Sequence, residues 1–435
     1  MDINTEHTSA NHHISYFVAE HKSGLKIIYY PIKCSQTWAN LKVGFGSIDN
    51  RFSADGRVFS LPDGTAHFLE HKMFDRADGK DLGAILAANG ADANAYTSES
   101  ETVYMFSCTE KFEDSLEIFL GSVTTPFFTK ETVQKEMPII SEEIDMYRDI
   151  PDSRLLSRLL RSLYRTHPAR NNVEGNKKSI KAVTPEILYT SANYFYTPSN
   201  MALCVAGKSD FKKISDICDR VFGTGQAHRG VCKRLPIEEQ PTVFRRSVTL
   251  YDNISCPKIA IGIKISDIPQ DAGERFRMRI YLRMITRILF GQTSVFSLSL
   301  CSRRIAVSPP CTDVVTEKDI AYIQLSADCR DPKAFSSEFF SYVDKTLESG
   351  IQEVEVEGGR RAMYGAFLSD SDSSEAMSDI LLSYAFEGVD PTETVEYMLG
   401  ITPEKLSEVL KSIYTKDKIS VVTMLPKKQD ERKTK

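Results

Sequence analysis

The segment Asp63-Gly64-Thr65-Ala66-His67-Phe68-Leu69-Glu70-His71-Lys72-Met73-Phe74 constrains this chain more than any other stretch. Its two histidines can act together only on a helix. At 3.6 residues per turn His67 and His71 stand one above the other, and Glu70 falls beside them. Two imidazoles on one rigid element can reach a single cation, and the adjoining carboxylate can take a proton from a water. With 8 histidines in 435 residues, the pattern His-x-x-Glu-His arises in about one random chain in a hundred. The plainer alternative is a pair of surface histidines with a glutamate in ordinary i, i+4 company. Asp63 is the expected N-cap, and Gly79 marks the loop after the helix.

A length of 435 residues exceeds what one core organises, so two or three domains are expected. The 54 basic and 59 acidic residues leave a net charge of −5, and no basic concentration points to nucleic acid. The polar N-terminus, with His12-His13, has no apolar core of a signal peptide. No uninterrupted apolar run reaches transmembrane length, and the expected location is cytoplasmic, with no membrane partner. The 9 cysteines are scattered and contain no Cys-x-x-Cys, which argues against a disulfide framework and against a thiolate metal site.

The coarse pattern is α/β. Strands are expected at Ile14 to Val18, Lys26 to Tyr30 and Trp38 to Phe45, then the motif helix, a helix Asp81 to Asn89, and strands through Ala91 to Thr97 and Thr102 to Cys108. Helices follow at Phe112 to Thr124 and Lys130 to Arg148. The second carries Glu136 and Glu143, seven residues apart and so on one face, with Glu142 turned about 100° away. One of these acids could complete a His-His-carboxylate site. Pro138 between them predicts a kink or a break. Helices at Arg154 to Tyr164, Pro185 to Tyr194 and Asp210 to Phe222 and a strand Met201 to Ala206 complete the first half. Gly223 to Pro241, rich in Gly, Pro and charge, reads as a linker. The element order then repeats, without a residue-level repeat. The expected division is a metal-bearing domain 1–222, a linker 223–242, a similar domain 243–426, and a charged tail 427–435.

Beyond the five motif residues, Gly64 to His71, Asn94-Ala95-Tyr96-Thr97, Glu136 to Ile144, His167-Pro168, Gly175, Tyr196-x-Pro198-x-Asn200-Met201 and Val205-x-Gly207 stand in one order. In these residues the chain resembles the pitrilysin and insulinase family of zinc metallopeptidases, whose His-x-x-Glu-His inverts the commoner order. It looks most like the short bacterial members and the mitochondrial processing peptidase subunits. The resemblance implies two similar α/β roll domains, each a mainly antiparallel sheet packed with helices. It also implies one zinc per chain on His67, His71 and Glu143, Glu70 as general base, and Glu136 as a supporting acid. The 72 residues from His71 to Glu143 are fewer than is common in the family, which keeps Glu142 as a fallback ligand. Asn94, Ala95, Tyr96 and Thr97 match the edge strand on which the family lays its peptide substrate. An Arg and a Tyr that many members carry in the second domain are missing from the stretch Thr293 to Ser308, where Arg303 and Arg304 stand out of register.

These readings converge on a zinc endopeptidase that cuts short or unfolded peptides, in peptide processing or turnover, within a chamber closed by a partner. By the resemblance, that partner is a related subunit supplying the Arg and Tyr in a heterodimer. The rival expectation is a non-catalytic or scaffold subunit of such a pair.

Overall fold

The computed structural model describes residues 5–9, 14–223 and 232–427. The His12-His13 pair, part of the expected linker and nearly all of the expected tail lie outside them. The strands are β1 (Thr5–Ser9), β2 (Ile14–Glu20), β3 (Lys26–Tyr30), β4 (Thr37–Val43), β5 (Arg51–Ala54), β6 (Arg57–Ser60), β7 (Ala91–Thr97), β8 (Thr102–Cys108), β9 (Met201–Ala206), β10 (Lys233–Arg234), β11 (Ser247–Asp252), β12 (Lys258–Ile265), β13 (Cys311–Thr316), β14 (Ala321–Asp328) and β15 (Ile419–Pro426). The α-helices are α1 (Thr65–Lys72), α2 (Leu82–Ala88), α3 (Phe112–Thr124), α4 (Lys130–Asp149), α5 (Pro151–Leu163), α6 (Pro185–Phe195), α7 (Phe211–Phe222), α8 (Ala272–Phe290), α9 (Val295–Ser302), α10 (Pro332–Ser349), α11 (Glu353–Ser371), α12 (Ser374–Glu387), α13 (Pro391–Leu399) and α14 (Pro403–Ile413).

The chain forms two compact units that are not contiguous in sequence. The first comprises residues 1–145, 172–236 and 366–393, the second 146–171, 237–365 and 394–435. This departs from a division at the linker in two places. Helix α5, from the first half of the chain, packs on β12 and β15 of the second unit. Helix α12, from the second half, packs on β3, β4 and β9 of the first. In the second unit a Cβ on Gly262 of β12 would stand 3.0 Å from Leu163 and 3.1 Å from Leu159, so the missing side chain lets α5 approach.

In the first unit the sheet order is β1-β2-β3-β9-β4-β8-β7, with β3 and β9 parallel and the other neighbours antiparallel. Alternation along the strands sends Ile27, Tyr29, Ala39, Leu41, Val43, Leu203 and Val205 into a core shared with α1, α3, α4, α6 and α7. The opposite face, towards α12, is more polar: Asn40 Nδ2 donates to Asp379 Oδ1 at 2.5 Å, and Lys42 pairs with Glu101. Burial raises the Asp379 carboxyl to about 6, assisted by Glu375 and Glu101. A separate hairpin joins β5 to β6 through Asp55-Gly56, both with positive φ, the geometry a two-residue turn between twisted strands requires.

In the second unit the order is β11-β15-β12-β14-β13. Its one parallel pair, β11 with β15, corresponds to β3 with β9, and the remaining strands follow the first sheet one for one. The expected repeat of element order is therefore a repeat of topology. Within this unit, Lys264 is nearly fully buried and donates to Glu239 at 2.9 Å and to the carbonyls of Leu163, Gln240 and Thr242. Glu239 in turn accepts the backbone N–H groups of Arg165, Thr166 and His167.

Candidate metal centre

Helix α1 begins at Thr65, and its N-cap is Gly64, not Asp63. The Asp63 carboxylate accepts a hydrogen bond from Asn50 at 3.0 Å, and the cap of α1 carries no side-chain hydrogen bond. Gly64 has φ 88°, and a Cβ there would lie 2.5 Å from the Glu174 carbonyl oxygen. Gly175, at φ 75°, would likewise place a Cβ 2.5 Å from the carbonyl of Asp63. Two left-handed glycines thus press two loops together and fix where α1 starts. From there the helix sinks Phe68 and Leu69 fully into the core and leaves the imidazole faces of His67 and His71 beside α4.

Helix α4 supplies the acids. It runs unbroken from Lys130 to Asp149 with Pro138 inside, so the expected break is absent. Proline at this position removes one backbone hydrogen bond, while Val133, Ile140 and Ile144 remain buried on the face that packs inward. That face also carries Glu136 and Glu143. Glu142 is exposed and takes no part in the cluster, which closes the fallback.

The His67 and His71 rings are 4.7 Å apart between centroids. His67 Nε2 stands 3.5 Å from Glu143 Oε1, and His71 Nε2 stands 3.3 Å from Glu143 Oε2. On its other side His71 Nδ1 is 3.0 Å from Glu136 Oε1. Lys72, almost completely buried, pairs with Asp75 and lies 3.7 Å from Glu136 Oε2. Desolvation opposes a charge on His71, but Glu136, Glu143 and Glu70 outweigh it and raise its pKa to about 9. His67 and His71 hold Glu143 well below the usual carboxylate range, and His71 lowers Glu136.

Do these atoms suit a metal? One ligand atom from each of His67, His71 and Glu143 can be chosen with all three within 4.8 Å of one another. Tetrahedral coordination at about 2.0 to 2.2 Å sets donor atoms about 3.3 to 3.6 Å apart. The Nε2 to carboxylate distances of 3.3 and 3.5 Å match that edge and are long for charge-assisted hydrogen bonds. A proton on His71 Nδ1, shared with Glu136, would leave its Nε2 lone pair facing the cluster. The residues present fit a small cation with a nitrogen and oxygen shell.

Glu70 is buried beside the cluster, and Thr97 Oγ1 donates to its Oε2 at 2.6 Å. Of the expected substrate strand, then, Thr97 turns inward to the carboxylate. Asn94 and Tyr96 are exposed on the opposite face, and Ala95 shares the inward face with Thr97. Among the described residues strand β7 ends the sheet and pairs with β8 alone, so no described strand occupies its other edge. Two contributors were not singled out from the sequence for these roles: Thr97 as the partner of Glu70, and Lys72 as a buried cation behind Glu136. A lysine inside an otherwise apolar helical face was the available signal for the second. In the second unit Arg303 pairs with Glu338 at 2.8 Å, and Arg304 sits at φ 56° in the turn after α9.

Residues 60–177 match the family described as Insulinase (Peptidase family M16), and residues 182–363 match the Peptidase M16 inactive domain. The uncharacterized zinc protease YmfH of Bacillus subtilis is 32% identical over 409 residues, covering 93% of this chain and 95% of that protein. The chain belongs to the insulinase family, peptidase family M16. An M16-like peptidase from Alicyclobacillus acidocaldarius has the same fold, with a TM-score of 0.92 and 28% identity over 95% of this chain and 99% of that one. A protease from Helicobacter pylori shares the fold at 18% identity, with a TM-score of 0.82 over 95% of this chain and all of that one. Subunit beta of the mitochondrial-processing peptidase of Arabidopsis thaliana is 24% identical over 194 residues, 44% of this chain and 36% of that protein. The family division agrees with the chemistry of the sequence. All five residues expected at the site, His67, Glu70, His71, Glu136 and Glu143, fall in the first matched segment, and no histidine follows His228.

Proposed function

We propose that this chain is a zinc-dependent endopeptidase acting on short or unfolded peptides. The observation that carries the reading is the pairing of a three-ligand cluster with an independently oriented carboxylate: Glu70 lies next to His67 and His71 in sequence, yet is held by Thr97. A zinc ion on His67, His71 and Glu143 would supply Lewis acidity to a peptide carbonyl and acidify a water. Glu70, with Oε2 engaged by Thr97, keeps Oε1 to accept the proton of the attacking water and return it to the leaving amine. Glu136 fixes the His71 ring, and Lys72 neutralises the acid behind it. The open edge of β7 offers main-chain groups to an extended peptide, with Asn94 and Tyr96 on its exposed face.

The reading extends to assembly. Neither the Arg nor the Tyr expected of a self-sufficient M16 chain stands between Thr293 and Ser308, and Arg303 is engaged by Glu338. A related subunit bearing that pair would complete the site as a heterodimer. The test is metal content of the purified chain together with cleavage of an unstructured fluorogenic peptide, with and without such a subunit. One zinc per chain is expected, with cleavage when the subunit is added. His71→Ala should lose both metal and cleavage. A chain that binds no stoichiometric metal under either condition would be a scaffold subunit instead.

A further inference from the structure

The two sheets repeat, but they are not covered alike. In the first unit α7 lies beside α3, with its Phe211 ring 6.3 Å from that of Phe17 of β2 and 6.4 Å from that of Tyr29 of β3. Its Ile214, Ile217, Cys218 and Phe222 are buried there. Its edges are tied by ion pairs, Lys213 to Glu113 at 3.1 Å and Arg220 to Glu117 at 2.6 Å. The strand registers translate this seat into the second unit. Ile27 pairs with Leu203 and Tyr29 with Val205; the matching pairs are Ser247 with Val421 and Thr249 with Thr423. Helix α10, which follows β14 as α3 follows β8, forms the matching wall.

In the second unit that seat is a groove of about 680 Å³, floored by Thr249, Val421, Thr423 and Leu425 and walled by Phe340 of α10. Its rim is cationic: Arg246, Arg330, Lys333 and Lys416. Lys416 lies 3.8 Å from Asp344, and Arg246 is within electrostatic reach of Asp417, so the least compensated cations of the rim are Arg330 and Lys333. The one acid in the lining, Asp331, is spent as the N-cap of α10, accepting from the amides of Lys333 and Ala334.

We infer that this groove is the docking site for an acidic amphipathic α-helix of a partner protein, seated where the first unit seats its own α7. The repeat sets the size of the occupant: α7 has 12 residues, about 18 Å of helix. The rim sets its charge: α3 presents Glu113 and Glu117 to the cations of α7, whereas the second unit presents Arg330 and Lys333 to its groove. The half-polar floor, with Thr249 and Thr423 where the first unit has Tyr29 and Val205, suits reversible docking rather than permanent burial. Residues 427–435 have the wrong charge for an occupant, since Lys427, Lys428, Arg432, Lys433 and Lys435 outnumber Asp430 and Glu431. The inference is independent of the peptidase reading.

The probe is a labelled 14-residue helical peptide with leucines at i, i+3, i+4 and i+7 and glutamates flanking them, titrated by fluorescence anisotropy into the full chain carrying Glu70→Gln so that it is not consumed. Two controls accompany it, one with the glutamates replaced by lysine and one with two central prolines. Each control should bind at least tenfold more weakly, and the affinity of the acidic helix should fall as salt rises. The double variant Arg330→Glu with Lys333→Glu should reverse the preference in favour of the lysine peptide; Lys416→Glu alone should weaken the acidic one. Equal binding of acidic and basic helices, or no effect of these variants when circular dichroism shows them folded, would overturn the assignment. So would undiminished binding of the proline peptide, which would indicate strand addition at β11, or concentration-dependent dimerisation that competes with the probe.

Discussion

Two units built on one strand order put their buried charges to different uses. In the first, Glu70, Glu136 and Glu143 surround two histidines, and most of their partners are themselves ionisable. In the second, Glu239 is surrounded by backbone N–H groups of residues 165–167 and by the ammonium of Lys264. Clustered titratable groups with opposed demands are what acid–base chemistry needs, whereas a carboxylate saturated by fixed donors is a structural joint. The difference teaches that a duplicated scaffold separates holding from reacting.

The largest effect should come from breaking the reacting side. Glu70→Gln is expected to lower peptide cleavage about a thousandfold while leaving metal content and thermal midpoint near the parent values. Retained cleavage with bound metal would remove Glu70 as the base.

Glu239→Gln should do the converse. Losing the charge that three amides and Lys264 share is expected to destabilise the protein by about 3 kcal/mol, read by urea titration. Cleavage per folded molecule should be unchanged. Its pH dependence has a definite sign. Burial raises the Glu239 pKa, but the Thr166 and His167 amides and Lys264 outweigh it and bring it to about 2, below its ordinary value. The stabilisation is therefore fully present above the unfolded carboxyl's pKa and is lost as pH falls towards about 2. The gap between parent and variant should be constant near neutrality and close in acid. Lys264 is itself lowered, by burial that Glu239 only partly offsets, so the joint draws its strength from the carboxylate's several donors.

A third comparison uses one substitution at two places. Gly64→Ala meets backbone at 2.5 Å with φ 88°, and should cost about 2 kcal/mol or more. Gly262→Ala meets leucine side-chain ends at 3.0 Å and should cost about 1 kcal/mol. Equal costs would mean that the contact of Gly64 with Glu174 does not fix the start of α1. The smallest effect is expected from Thr97→Val, about a fivefold loss of kcat at unchanged metal content, with partial recovery in Thr97→Ser.

Much of this was legible in the chain. The helix α1 with His67 and His71, the strands Lys26–Tyr30 and Thr102–Cys108, and helices such as α3 and α14 announce themselves through period and punctuation. The β5–β6 hairpin was missed although Asp55-Gly56 carries the signal for it. Strand β13, Cys-Thr-Asp-Val-Val-Thr, carries little signal in the sequence because its alternation is weak at an edge. The Gly64 cap was hidden by Asp63, whose side chain answers to Asn50 across the turn. The exchange of α5 and α12 between units could not be read locally, since an amphipathic helix states that it has a buried face and not which sheet buries it. Among the site residues, pairings along one helix were readable; the hydroxyl of Thr97 on Glu70, between elements 27 residues apart, was not.

That hydroxyl has a further consequence. Side chains alternate along a strand, so a slip of β7 by one residue would present Tyr96 in place of Thr97 and leave Glu70 unheld. The orientation of the proposed base is thus inherited from the register of a strand paired, among the described residues, on one side only, the part of a sheet with least to stop it fraying. A peptide added along the open edge would supply the second row of pairs, so the chain would be best ordered for its chemistry while its edge is occupied.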